Sequence, residues 1–109
     1  MSDITQLIEK LKEFRDVRDW EQFHNAKDLA IAISAEAGEL LELYLWKKGE
    51  EADKEKVKEE LADIFAFAFL LADKYGFDVR EIVLEKIQSN EKKYPIDKAK
   101  GTAKKYNEL

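Results

Sequence analysis

Leu29–Trp46 reads LAIAISAEAGELLELYLW, and Leu61–Ala72 reads LADIFAFAFLLA. Both runs are nearly all apolar and lack strand-like alternation, so both are expected to be helices. Their few charges are all acidic: Glu36, Glu39 and Glu42 in the first run, Asp63 in the second, with Glu60 just before it. On helices, Glu36/Glu39 and Glu60/Asp63 are i, i+3 pairs, each on one face. Ionised carboxylates crowded among Ala, Ile, Leu and Phe are costly unless something positive joins them. Neither run contains a Lys or Arg to do so. A hard divalent cation held by four oxygens is the simplest answer, and Mg²⁺, or Mn²⁺ in its place, suits an all-carboxylate set. Zinc is disfavoured because the chain has no Cys and no paired His. A ferritin-like di-iron centre is disfavoured too, since it needs Glu-x-x-His and the one histidine is His24. Glu42, Glu50, Glu51 and Glu55 read as ordinary solvated residues.

The flanking segments also follow helical spacing. Ile4, Leu7, Ile8, Leu11 and Phe14 predict a first helix over residues 3–17. Arg18–Asn25 (RDWEQFHN) is a polar connector with two aromatics, and Asn25 is suited to cap the second helix, expected to reach about Trp46. Lys47–Lys58 is charged and contains Gly49, which predicts a loop into a third helix capped by Asp53 and stopped at Gly76. A fourth helix opens at Asp78, where Glu81 three residues on suggests a capping box. Its apolar stripe is Val79, Ile82, Val83 and Ile87, and it is expected to end at Tyr94 because Pro95 follows. Residues 96–109 read as a basic tail holding Lys98, Lys100, Lys104 and Lys105. The expected fold class is all-α, four main helices in a single domain over 1–109. The two central helices are apolar nearly all round, more than a lone four-helix unit covers, so a dimer or a dimer of dimers is expected.

Composition narrows the function. The chain has 109 residues, 45% of them hydrophobic, and no cysteine, which removes disulfide and thiolate chemistry. The N-terminal MSDITQLIEKLKEF is charged where a signal peptide needs an apolar core, and no apolar run is long enough to span a bilayer. A soluble, cytoplasmic protein without a membrane partner is expected. The net charge of −5 and the lack of a basic stripe argue against binding a nucleic acid polymer. An anionic small molecule remains an eligible ligand once metal ions offset the acids.

Several further residues have two readings. Trp20, Phe23, His24 and Trp46 are, singly, ordinary core aromatics; together Trp20 and Trp46 have the means to sandwich a nucleobase. Lys86, Asn90 and Lys93 share a face of the fourth helix and border its apolar stripe, either as a solvated edge or as phosphate and sugar contacts. Gly38 costs about 1 kcal/mol relative to Ala mid-helix. It is either simply tolerated, or it serves close helix approach or leaves room for a ligand.

Glu36-x-x-Glu39 followed by Glu60-x-x-Asp63 resembles the ExxE…ExxD signature of the all-α nucleoside triphosphate pyrophosphohydrolases, the MazG-like superfamily. RDWEQFH (Arg18–His24), GEL (Gly38–Leu40), Trp46-Lys47, EELAD (Glu59–Asp63), the Lys86…Asn90…Tyr94-Pro95 run and the terminal KYNEL look like its dCTP pyrophosphatase branch. The resemblance covers nearly the whole chain from Phe14 onward. It implies Mg²⁺ on Glu36, Glu39, Glu60 and Asp63, with Trp20 and Trp46 flanking the base and His24 nearby. It implies triphosphate or sugar contacts from Lys86 and Asn90, with Lys93 and Tyr94 in the same stretch, and sites built across subunits of a dimer or tetramer. The implied reaction cuts between the α and β phosphates, giving a nucleoside monophosphate and pyrophosphate. Leu11 and Phe67 depart from the branch, standing where the animal enzymes have histidine and tyrosine.

The expected activity is therefore Mg²⁺-dependent pyrophosphohydrolysis of a nucleoside triphosphate, dCTP or a modified dCTP. Glu36 or Glu39 is the expected general base, and Phe67 is the expected wall at the sugar 2′ position. Two alternatives stand beside it: a pyrophosphohydrolase for another nucleotide such as dUTP, and a non-enzymatic helical assembly module whose acidic pairs hold a structural cation.

Overall fold

The computed structural model describes residues 2–109, which are helical with connecting turns and contain no strand. The chain divides into two compact units, Met1–Phe77 and Asp78–Leu109.

The first unit holds α1 (Asp3–Asp16), α2 (Ala26–Glu42) and α3 (Lys54–Lys74). Short polar side chains set where each begins. Ser2 Oγ accepts from the Thr5 amide, Asn25 Oδ1 from Asp28, and Asp53 Oδ1 from Glu55, each meeting an amide that the first turn leaves unpaired. α3 ends as expected at Gly76, whose φ of 72° lets the chain reverse. There the Gly76 amide donates to Asp73 O and the Phe77 amide to Ala72 O, a paired closure of the last helical carbonyls. α3 packs against both α2 and α1. Ile8 of α1, Leu29 of α2, and Leu70 and Ala72 of α3 are the buried apolar residues, with Leu29 only 1% exposed.

α2 stops four residues short of the expected Trp46. The amides of Leu43, Tyr44 and Leu45 bond to carbonyls three residues back, tightening the chain into turns, and Trp46 then takes φ 65°. Apolar composition alone does not mark that end, because Leu43, Tyr44 and Leu45 continue the run. Around Gly38 the space where a Cβ would stand is open, with nothing but its chain neighbours and its own helix backbone within 4 Å. Close helix approach at Gly38, one of the two sequence expectations, is therefore not what this chain does there.

The second unit holds α4 (Val79–Lys93), a single-turn α5 (Ile96–Ala99) and a 3₁₀ turn at Tyr106–Glu108. Asp78 Oδ1 caps α4 by accepting from the Glu81 amide at 2.9 Å. Beyond Pro95 the basic tail is more structured than the sequence suggests: the Tyr106 ring meets Tyr94 edge-on at 6.3 Å and lies under the Lys93 ammonium at 5.0 Å.

Candidate functional site

α2 and α3 lie side by side, so acids at matching heights on the two helices converge. Glu36 comes from α2, and Glu60 and Asp63 come from successive turns of α3. One carboxylate oxygen of each lies within 4.8 Å of the others. Glu36 and Glu60 are half-buried and Asp63 is exposed. Glu36 Oε2 and Glu60 Oε2 are each shut off from solvent without a hydrogen-bond partner. The adjoining Glu60 carboxyl, then burial, then Glu39 push the Glu36 carboxyl up to about 8. Like charges that cannot all ionise at such spacing produce this shift. Glu39 is exposed and stands beside Glu36 rather than among the three converging oxygens.

Two buried, unpartnered carboxylate oxygens and a third acid at hand form an oxygen-only donor set, the kind that hard divalent cations take. The donor chemistry fits such an ion, and a bound cation would offset the repulsion that holds the proton on Glu36.

An apolar groove of about 600 Å³ begins at this cluster, lined by Leu7 and Leu11 of α1 and by Ala62, Asp63, Phe65, Ala66 and Phe69 of α3. Asp63 belongs to both groove and cluster. Leu11, read in the sequence as a departure from the animal enzymes, is one of the groove's apolar walls.

The other expected site residues fall into separate groups. His24 meets Phe67 edge-on at 6.4 Å, so the connector and α3 bring those two together. Burial, then the charges of Arg15 and Lys74, lower the His24 pKa, and its Nδ1 is buried without a partner. The imidazole is therefore neutral near pH 7. Trp20 packs edge-on against Phe14 at 5.8 Å, with the Arg18 guanidinium 3.6 Å from the centre of the Phe14 ring. Trp46 stands 101% exposed, so the chain by itself does not close the two tryptophans around anything. Lys86, Asn90, Lys93 and Tyr94 belong to the second unit, on α4 and at its C-terminal end. Two residues not singled out from the sequence stand out here: Arg15, a buried cation at the end of α1, and Tyr106, which holds the tail to α4. Arg15 in the sequence is one of several charges in KLKEFRDVRD, and nothing in that pattern marks it as buried.

The chain is all-α with a cluster of acidic residues between two adjacent helices, and similarity to known proteins narrows the class. The sequence pattern of the MazG-like family matches residues 31–109. The dCTP pyrophosphatase 1 of Bos taurus is 38% identical over 105 residues, covering 89% of this chain and 62% of that protein. The Homo sapiens dCTP pyrophosphatase 1 is 36% identical over the same shares. Thus the chain spans about 62% of the length of these mammalian relatives. The crystal structure of a pyrophosphatase from Archaeoglobus fulgidus DSM 4304 superposes with a TM-score of 0.81 at 36% identity, covering 87% of this chain and 94% of that one. The chain belongs to the MazG-like family.

Proposed function

We propose that this protein is a Mg²⁺-dependent nucleoside triphosphate pyrophosphohydrolase that splits the α–β phosphate bond of dCTP, or of a modified dCTP, into a monophosphate and pyrophosphate. The observation that carries this is the convergence of Glu36, Glu60 and Asp63 oxygens within 4.8 Å, two of them buried and unpaired. The family membership and the dCTP pyrophosphatase and pyrophosphatase names of its relatives support the reaction and the base.

Glu36, Glu60 and Asp63 would hold the cation, with Glu39 completing the set from the open side. When bound, such an ion withdraws charge from triphosphate oxygens and acidifies a water. Glu36 or Glu39 accepts the proton of the attacking water; the exposure of Glu39 beside Glu36 supports its candidacy. Glu36 must lose its own proton to serve as a ligand, so loading and deprotonation are linked. Trp20 and Trp46 flank the base, with His24 nearby and Phe67 walling the sugar. Lys86, Asn90, Lys93 and Tyr94, in the second unit, are the phosphate and sugar contacts that the family resemblance implies. Asp63 is the one lining residue of the apolar groove with a hydrogen-bonding side chain, so the groove's side chains favour shape over base-edge recognition.

Residues 1–109 work as one domain with a basic tail at 96–109, in the cytoplasm and as a homodimer or homotetramer. Phe65 and Leu61 on α3 are exposed apolar residues of the first unit that such an assembly would cover. Among the described residues, no helix is long and apolar enough to cross a membrane.

The test is product analysis on a panel of canonical and 5-substituted nucleoside triphosphates, with Mg²⁺ and with EDTA. Monophosphate plus pyrophosphate from dCTP, with Mg²⁺ only, is the expected result. Diphosphate plus phosphate, or no product from any nucleotide, would overturn the proposal.

A further inference from the structure

Arg15 is the one charged residue buried among the described residues, 7% exposed. A buried guanidinium is expensive to desolvate, and an apolar residue of similar size would fill the space at lower cost. Its charge therefore needs a reason beyond packing. Nε donates to Asp16 Oδ1 at 2.7 Å, and Nη2 lies 3.9 Å from Glu21 Oε2. The Arg15 carbonyl accepts from the amides of Arg18 and Trp20 at 3.2 and 3.1 Å. Across the fold, the charge of Asp73 on α3 also bears on Arg15, and Asp73 pairs with Lys12 at 3.5 Å.

Of these, the 3.9 Å ion pair with Glu21 and the Trp20 amide bond to the Arg15 carbonyl reach the next segment, while the Asp16 bond orients the guanidinium from within α1. Glu21 opens a 3₁₀ turn over Glu21–Phe23, Trp20 precedes it and His24 closes it, donating its amide to Glu21 O at 2.9 Å. The turn is entered through Asp19 at φ 55°, a left-handed state that Asp adopts more readily than most non-glycine residues. Gln22 Nε2 donates to Asp19 O at 2.9 Å from the far side. The sequence reads this stretch as a polar connector; the structure makes it a braced turn, with Arg15 beneath it.

We propose that Arg15 is a positioning residue for nucleotide binding: its buried guanidinium, oriented by Asp16 and paired with Glu21, fixes the turn that presents Trp20 and His24. This rests on Trp20 contacting the base, as proposed above. Arg15 itself touches no substrate. Its removal loosens the turn and weakens capture of the nucleotide while leaving the carboxylate cluster on α2 and α3 in place.

Two measurements on the full chain test this. Hydrogen exchange of the Arg18–His24 amides in Arg15→Met is expected to speed up about tenfold while α2 and α3 keep their protection, because a braced turn opens locally once its anchor goes. Unchanged exchange in that segment overturns the anchor, whatever the enzyme hydrolyses. In kinetics, Arg15→Met is expected to raise KM about tenfold with kcat within about twofold, since a misplaced contact costs binding and not the chemical step. In a Trp20→Ala background the same substitution should raise KM by less than it does alone, because part of its effect runs through Trp20. Full multiplication of the two effects, or an unchanged KM, overturns the positioning role. If Arg15→Met does not fold, the double variant Asp16→Asn/Glu21→Gln cuts the same anchor from exposed side chains, Glu21 being 61% exposed. The same rise in KM, smaller in size, is then expected, and its absence overturns the role. A wild-type protein that hydrolyses no nucleotide refutes the enzymatic proposal and with it the role in substrate capture, and the exchange result still decides whether Arg15 braces the turn.

Discussion

Glu36 concentrates the chemistry of this chain in one side chain. Its carboxyl, pushed up to about 8 chiefly by Glu60, keeps a proton at neutral pH that the unfolded chain would release near 4.5. Between those two values the metal-free folded state binds the extra proton, so its stability falls as pH rises from about 4.5 to about 8 and is flat in this respect above. Thermal melts of metal-free wild type and Glu36→Gln across pH 5–9 should diverge for this reason: the wild type loses Tm with rising pH relative to the variant. Parallel curves would mean that Glu36 does not hold that proton. Mg²⁺ binding at pH 7 should release about one proton, because a ligand carboxylate must ionise. Calorimetry in two buffers of different ionisation enthalpy reads this directly, and equal heats would contradict it.

At the scale of the elements, two glycines should respond with opposite sign. Gly76→Ala places a Cβ at φ 72° with no steric neighbour, so its cost of about 1–2 kcal/mol is purely conformational. Gly38→Ala sits in α2 with open space around it and should gain about 0.5–1 kcal/mol. Urea melts of both variants check the pair, and a destabilising Gly38→Ala would show that something outside this chain packs against α2 at that point. The ends of the helices were legible in sequence wherever chemistry marked them: Asn25, Asp53 and Asp78 at the starts and Gly76 at one stop all lie where their side chains or their freedom in φ require. The end of α2 was not legible, because Leu43–Leu45 carry the apolar pattern past a turn made by backbone bonding alone. For the candidate site, Glu36, Glu60 and Asp63 were legible because acids in an apolar helix announce themselves. Arg15 was not, because its burial comes from tertiary packing at the join of α1 with the connector and not from its neighbours in sequence.

For the whole molecule, the first unit keeps a small buried core of Ile8, Leu29, Leu70 and Ala72 while Phe65, Leu61, Leu41 and Leu45 remain exposed. Apolar exposure of this kind supports the proposed assembly. Light scattering should give a dimeric or tetrameric mass, and Phe65→Glu should shift it toward the monomer with a lower Tm. A monomeric wild type would rule assembly out. The central claim is that carboxylates from two helices make a metal-dependent hydrolytic centre, and its most direct test is pyrophosphate release from dCTP by wild type, Glu36→Gln and Asp63→Asn in parallel, with Mg²⁺ and with EDTA. The predicted result is Mg²⁺-dependent release by the wild type and a loss of about 10²-fold or more in both variants, which remain folded by circular dichroism. Full activity in both variants would contradict it.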